Sequence, residues 1–422
     1  MMSLTRAVAA VGAAGVVAVS AAGCGVAEPA PPTRADTPHG YVEGAEETAE
    51  AQSRLVVADR ETGAIRVLDL ITGQVTEVGR ANGVRGVLGD GRFAYLAEET
   101  GTEETGAEET GAGEAGAVRV VDSGAWMVDH TDHVHYYRAA IREVGSVTGG
   151  RPTGVHSDPA LTAISFDDGT VHLLDRAQLD AGTVVRTGTV SGAAPEGSAV
   201  PWREHLLVPA ARADRSADAV EVRDRQGQLL STLDPSCPRS RGSAVTRRGV
   251  VFGCADGALL VTEQDGGFHA EKIPYPRPVP ESERAVAFAH RPGSTTLAAR
   301  AGDRGVWSLD VTSRSWTHLE TGPVVAVTAV GAGAPLLALT ADGALHAYDT
   351  ATGTRTARTP LLAAPVAESA PVLPVIQVDS ARAYVNDVAT GTVHEIDYTD
   401  NLRQARVFQV GGKASYLVET GR

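Results

Sequence analysis

Three of the chain's twelve histidines fall within six residues, in the run Asp129-His130-Thr131-Asp132-His133-Val134-His135. Neutral imidazole offers a lone pair to a transition metal, and carboxylates complete or orient such sites. In an extended segment His133 and His135 project to the same side, one pleat apart, and a turn at Thr131-Asp132 brings His130 round to meet them. Three imidazoles with Asp129 or Asp132 fill the tetrahedral shell that zinc prefers. The competing reading is a polar surface loop whose histidines are incidental, because so short a pattern discriminates loosely. A histidine site also predicts that binding weakens as the rings protonate.

The elements that must hold this run are repeated hairpins. Alternating apolar residues are interrupted by a glycine turn and end in a short apolar stretch and an acid, as in LVVADRETGAIRVLD (55–69), LTAISFDDGTVHLLD (161–175), VVFGCADGALLVTE (250–263) and AYVNDVATGTVHEID (383–397). The acids Asp69, Asp122, Asp175, Asp224, Glu263, Asp310, Asp349 and Asp397 recur every 39 to 53 residues, the spacing of four-stranded propeller blades. Each Asp-Gly or Thr-Gly turn supplies a residue tolerant of positive φ, so its flanking strands pair. A single hairpin cannot bury both faces, so the units must pack sheet on sheet around an axis. The fold expected is all-β: a single β-propeller over 53–422 with about eight four-stranded blades (seven as the alternative), closed by the C-terminal strand around Ala414–Glu419. The Glu/Gly/Thr-rich stretch 98–117 falls inside the second unit and lacks apolar periodicity, and is expected to be a disordered, solvated insertion.

The N-terminus carries Arg6, an apolar small-residue run from Ala7 to Ala22, and then Gly23-Cys24, a pattern that predicts a signal peptide over 1–24. The run is shorter than the roughly 20 residues that span a bilayer. Its Ala21-Ala22-Gly23-Cys24 end resembles a bacterial lipobox, although Ala21 replaces the usual leucine, and predicts lipidation of Cys24 and a membrane anchor. Residues 25–52, rich in Pro and Glu, are expected as a flexible tether. In an exported chain, Cys237 and Cys254 are expected to form a disulfide; without a CxxC pair, a zinc-thiolate knuckle is the weaker reading. The net charge of −15 owes eleven of its units to glutamates in 98–117 and at Glu43, Glu46, Glu47 and Glu50. Without a Lys/Arg-rich face, nucleic acid is excluded as a partner.

The histidine run resembles the HxDHxH loop of the bacterial zinc metallochaperones of the AztD type, secreted β-propellers that pass zinc to the solute-binding protein of an ABC transporter. The resemblance extends to Tyr136-Tyr137-Arg138, to Gly197-Ser198-Ala199-Val200-Pro201, to Cys237-Pro238 and Phe252-Gly253-Cys254-Ala255-Asp256-Gly257, and to Leu417–Arg422. It covers most of the chain from about residue 54. It implies zinc as the bound metal, a zinc transporter's solute-binding protein as partner, and further histidines at the channel mouth. Those positions hold Gly154, Glu196 and Arg241 here, which leaves only the loop site and suggests an ion pair between Glu196 and Arg241 across the pore.

Among the other histidines, His156 and His290 are loop residues placed to approach the channel and assist a metal. His172, His346 and His394 share one repeat position and are expected in packing roles, with His205, His269 and His318 on the surface. No GxSxG elbow, HExxH helix or carboxylate pair marks an enzyme, and fold alone does not establish an activity. The expected function is a monomeric, lipid-anchored, extracytoplasmic zinc metallochaperone-like protein. The alternatives are a propeller scaffold for interactions or a small-ligand-binding pore that has lost zinc transfer.

Overall fold

The computed structural model describes residues 40–99, 116–130, 133–211, 217–367 and 369–422. Cys24 and the signal segment lie outside these residues, as do Asp132 and all but the ends of the 98–117 insertion. The described chain is almost entirely antiparallel β-structure, in line with a β-propeller. Eight sheets follow one another along it, seven of four strands and one of three, beside a separate three-stranded sheet. In the first of the eight, Arg54–Ala58 pairs on one side with Ala64–Asp69 and on the other with Tyr416–Thr420 near the far end of the sequence. The three-stranded member of the series, built from Thr296–Arg300, Val306–Asp310 and Ser315–Leu319, receives an extra bridge from Ala289 to Ala298.

Packing explains the small, β-branched composition. Eight apolar clusters lie between the sheets, each made by two consecutive sheets and one by the last and the first. In that one, Leu55, Val57 and Leu417 meet Tyr384, Val393 and Phe408. Faces buried on both sides favour continuous Val, Leu and Ala runs such as Leu55–Ala58, where every residue is buried. The disulfide between Cys237 and Cys254 lies in the cluster of the fourth and fifth sheets, with both residues fully buried. Among the described residues no helix is long and apolar enough to cross a membrane.

The recurrent acid has a local cause. Asp69 Oδ1 accepts the backbone N–H groups of Ile71 at 3.0 Å and Thr72 at 2.9 Å. Asp310 does the same for Thr312 and Ser313, and Asp349 for Ala351 and Thr352. The acid is therefore the turn residue that sends the third strand of a sheet into its fourth. In the second sheet this step is interrupted. The third strand ends at Asp122, but the next chain segment is a separate hairpin, Ala125–Asp129 and Val134–Arg138, before Arg142–Gly149 returns as the fourth strand. Of the histidines in the run, His130 follows the first strand of this inserted flap, His133 precedes the second and His135 lies within it.

Two expectations need correction here. The segment 25–52 is not a free tether throughout, because Glu46–Thr48 forms a strand on the flap, paired with Val134–Arg138. Likewise, the insertion at 98–117 is shorter than expected: Glu98 and Glu99 end one strand, Gly116 and Ala117 begin the next, and the two pair directly.

Candidate metal centre

The flap is secured at its base. Arg54 Nη1 donates to Ser123 O at 2.5 Å, and Ala139 N donates to Gly124 O at 2.7 Å. Trp126 stacks on its cross-strand partner Tyr137 with centroids 5.4 Å apart, and the buried Arg92 guanidinium lies 3.7 Å over the Trp126 ring. Arg92 is held in turn by Asp122, with bonds of 3.1 and 2.8 Å. Trp126 Nε1 also donates to Gly40 O at 3.1 Å, which lays the N-terminal segment against the hairpin. A Cβ at Gly40 would stand 2.2 Å from Val128 Cγ2, so only glycine permits this approach.

At the tip, His130 N donates to His133 O at 2.9 Å and closes the turn. The ring centroids of His130, His133 and His135 are 4.9 to 5.4 Å apart, and one ligand nitrogen from each lies within 4.8 Å of the others. A tetrahedral zinc with bonds of about 2.0–2.1 Å brings its nitrogens to ~3.3 Å from one another. The observed set fits this after small ring movements, which an exposed hairpin tip allows. His133 is exposed, while His130 and His135 are partly covered.

His135 Nδ1 is 2.6 Å from Glu47 Oε1. Tyr137 stacks beyond it at 6.2 Å, and burial together with the Glu47 carboxylate pushes its phenol up. Asp129, one of the two carboxylates offered as a fourth ligand, directs Oδ2 to within 3.7 Å of Arg247 Nη2, while Asp132 lies outside the described residues. Sequence reasoning did not single out Glu47, which sits in an acidic run that reads as solvated. Its strand, Glu46-Glu47-Thr48, is three residues long and two of them are glutamates, so it carries no strand signal of its own.

The other named positions gather elsewhere. His156, Glu196, Arg241 and His290 line a cavity of about 780 Å³ bounded by Gly86–Gly89, Pro152–Ser157, Ser243–Thr246 and Ile376–Val378. His156 Nε2 is 2.8 Å from Ser243 Oγ, and burial with the neighbouring His290 holds its pKa down to about 4. His290 Nε2 is 3.2 Å from Val245 O, and burial lowers it to about 4 as well. Glu196 and Arg241 approach to 3.3 Å. At Gly154 a Cβ would stand 2.0 Å from Ser198 Oγ and 2.6 Å from Ser198 Cβ, so any side chain there requires Ser198 to move.

His172, His346 and His394 are buried residues of third strands, His172 the second residue of its strand and the other two the third of theirs. His318, expected on the surface, is instead partly covered, with its ring edge-on to Trp307 at 4.8 Å.

No protein-family model and no curated protein matches the chain. Solved structures do. The crystal structure of AztD from Citrobacter koseri superimposes with a TM-score of 0.71 at 21% identity, covering 88% of this chain and 98% of that one. The structure of apo AztD from the same organism gives 0.72, with the same identity and coverage. A more distant match is the dihydro-heme d1 dehydrogenase NirN in complex with DHE, with a TM-score of 0.51 at 13% identity over 89% of this chain and 76% of that one. The long, high-scoring superposition identifies the fold of this chain as AztD-type.

Proposed function

We propose that this protein is an extracytoplasmic zinc carrier of the metallochaperone kind, which captures zinc on the flap with His130, His133 and His135 and passes it to the solute-binding protein of an ABC transporter. The observation that carries the reading is the convergence of three imidazole nitrogens within 4.8 Å at the tip of a hairpin inserted into an otherwise regular sheet. Asp129, Asp132 or water completes the shell. In this reading the protein has no catalytic role.

The exposed His133 is the ligand an incoming site reaches first, so zinc leaves by stepwise exchange of ligands. The eight sheets are eight blades, with Tyr416–Thr420 closing the ring on Arg54–Ala58. The disulfide suits an oxidising compartment, and lipidated Cys24 tethers a monomer to the outer face of the cell membrane. Burial and hydrogen bonds to Ser243 and Val245 leave His156 and His290 at most a supporting role in metal binding.

A zinc titration of the full chain beside a triple His130→Ala, His133→Ala, His135→Ala variant tests this reading. One tight zinc that vanishes in the variant is the expected result. No tight zinc in either protein overturns it and shifts attention to the cavity with Glu196 and Arg241.

A further inference from the structure

We propose that Glu47 is a positioning residue of the zinc site: its carboxylate fixes the tautomer and ring orientation of His135, so that the N-terminal strand Glu46–Thr48 is a structural part of the metal centre. This rests on the zinc reading above and deepens it. Glu47 lies opposite Tyr137 in the ladder, and His135 is two residues from Tyr137 on the same face of its strand. Such diagonal neighbours are within reach of long side chains. The contact is made at 2.6 Å from Glu47 Oε1 to His135 Nδ1.

An ionised carboxylate only accepts hydrogen bonds, and neutral imidazole carries a single N–H. The proton of His135 therefore sits on Nδ1, where it donates to Glu47, and the lone pair sits on Nε2. Free histidine favours the opposite tautomer. A carboxylate in this place also raises the basicity of the liganding nitrogen and stops the ring from turning. The strand that brings Glu47 is itself held on the flap, by Glu46 at 2.8 Å from Arg138 Nη2 and by Thr48 Oγ1 donating to Tyr136 O at 3.3 Å. Three residues from outside the eight sheets thus complete the hairpin into a sheet and supply its orienting carboxylate.

The test combines long-range 1H–15N NMR of the histidine rings in the metal-free full chain, at about pH 8 where imidazole is neutral, with competitive zinc titration. The wild type should show the His135 proton on Nδ1. Glu47→Ala should move it to Nε2 and weaken zinc binding about 10- to 100-fold. Glu47→Gln, whose amide oxygen still accepts, should keep the Nδ1 tautomer and lose less affinity. Glu43→Ala, which removes the same charge from the same acidic run, should bind zinc as the wild type does. A Glu47→Ala protein with unchanged His135 tautomer and zinc affinity within twofold of wild type would overturn the proposal. A wild type that binds no zinc defeats the zinc reading instead, while the tautomer measurement still decides whether Glu47 orients His135.

Discussion

The flap tip and the inner cavity both hold histidines, and they use them in opposite ways. On the flap, three rings converge, one exposed and two partly covered, and a carboxylate stands beside His135. In the cavity, His156 and His290 are engaged by Ser243 and a backbone carbonyl and are held far below the ordinary histidine range. Proximity to a cavity does not make a histidine a metal ligand. What separates the two regions is whether further donors converge: three imidazoles do so on the flap, whereas in the cavity Gly154 packs against Ser198 and Glu196 is paired with Arg241.

The largest effect that would sharpen this contrast is on metal binding. Removing His130, His133 and His135 should weaken zinc binding by about three orders of magnitude or more. The His156→Gln, His290→Gln double variant should stay within about threefold of wild type, since neither ring belongs to the converging group of flap nitrogens. Isothermal titration of both variants checks the pair of outcomes, and a cavity variant that loses the tight zinc would reverse the assignment.

Next in size is a stability effect that should leave the flap untouched. The Cys237→Ser, Cys254→Ser variant loses a cross-link spanning 17 residues, which costs about 3 kcal/mol in denaturant unfolding. Its zinc stoichiometry should not change, because the disulfide lies between the fourth and fifth sheets and the flap leaves the second.

The cavity histidines also predict a pH signature. Their folded pKa values of about 4 lie below the ordinary 6.5, so the unfolded chain binds protons more readily. Their contribution to stability is fully present above pH 6.5 and is lost as the pH falls toward 4, by about 2 kcal/mol for the pair after allowance for the open cavity. Glu419, raised to about 7 by burial, acts in the opposite sense: its contribution is present below its ordinary 4.5 and is lost as the pH rises through 7. The signature is therefore the difference between wild type and the His156→Gln, His290→Gln variant, measured from pH 4 to 7. Identical slopes would show that the two rings titrate as exposed histidines do.

Smallest of all should be the Glu196–Arg241 pair. Both side chains are substantially exposed, at 60% and 43%, and Glu196→Gln should change stability by no more than about 0.5 kcal/mol in thermal unfolding. A larger loss would mark the pair as a structural feature of the cavity wall.

Much of this was legible in the sequence, and the reasons differ by region. The repeat could be read because each hairpin carries its own turn chemistry, and the acids at Asp69, Asp310 and Asp349 recur where a side chain must cap the turn into a fourth strand. The three flap histidines could be read because a short hairpin keeps sequence neighbours together in space. Glu47 could not, since it reaches His135 from 88 residues away through a strand of only three residues, too short to carry a periodic signal. The partly covered position of His318 beside Trp307 is likewise a matter of packing, which local pattern does not encode.

The central claim is that zinc is held by three imidazoles on the flap, and zinc K-edge X-ray absorption of the complex at one equivalent tests it most directly. The account predicts three imidazole ligands at about 2.0 Å with one oxygen or nitrogen and no sulfur, a spectrum retained in the His156→Gln, His290→Gln variant. A first shell with fewer than two imidazoles, or one that changes when the cavity histidines are removed, would contradict it.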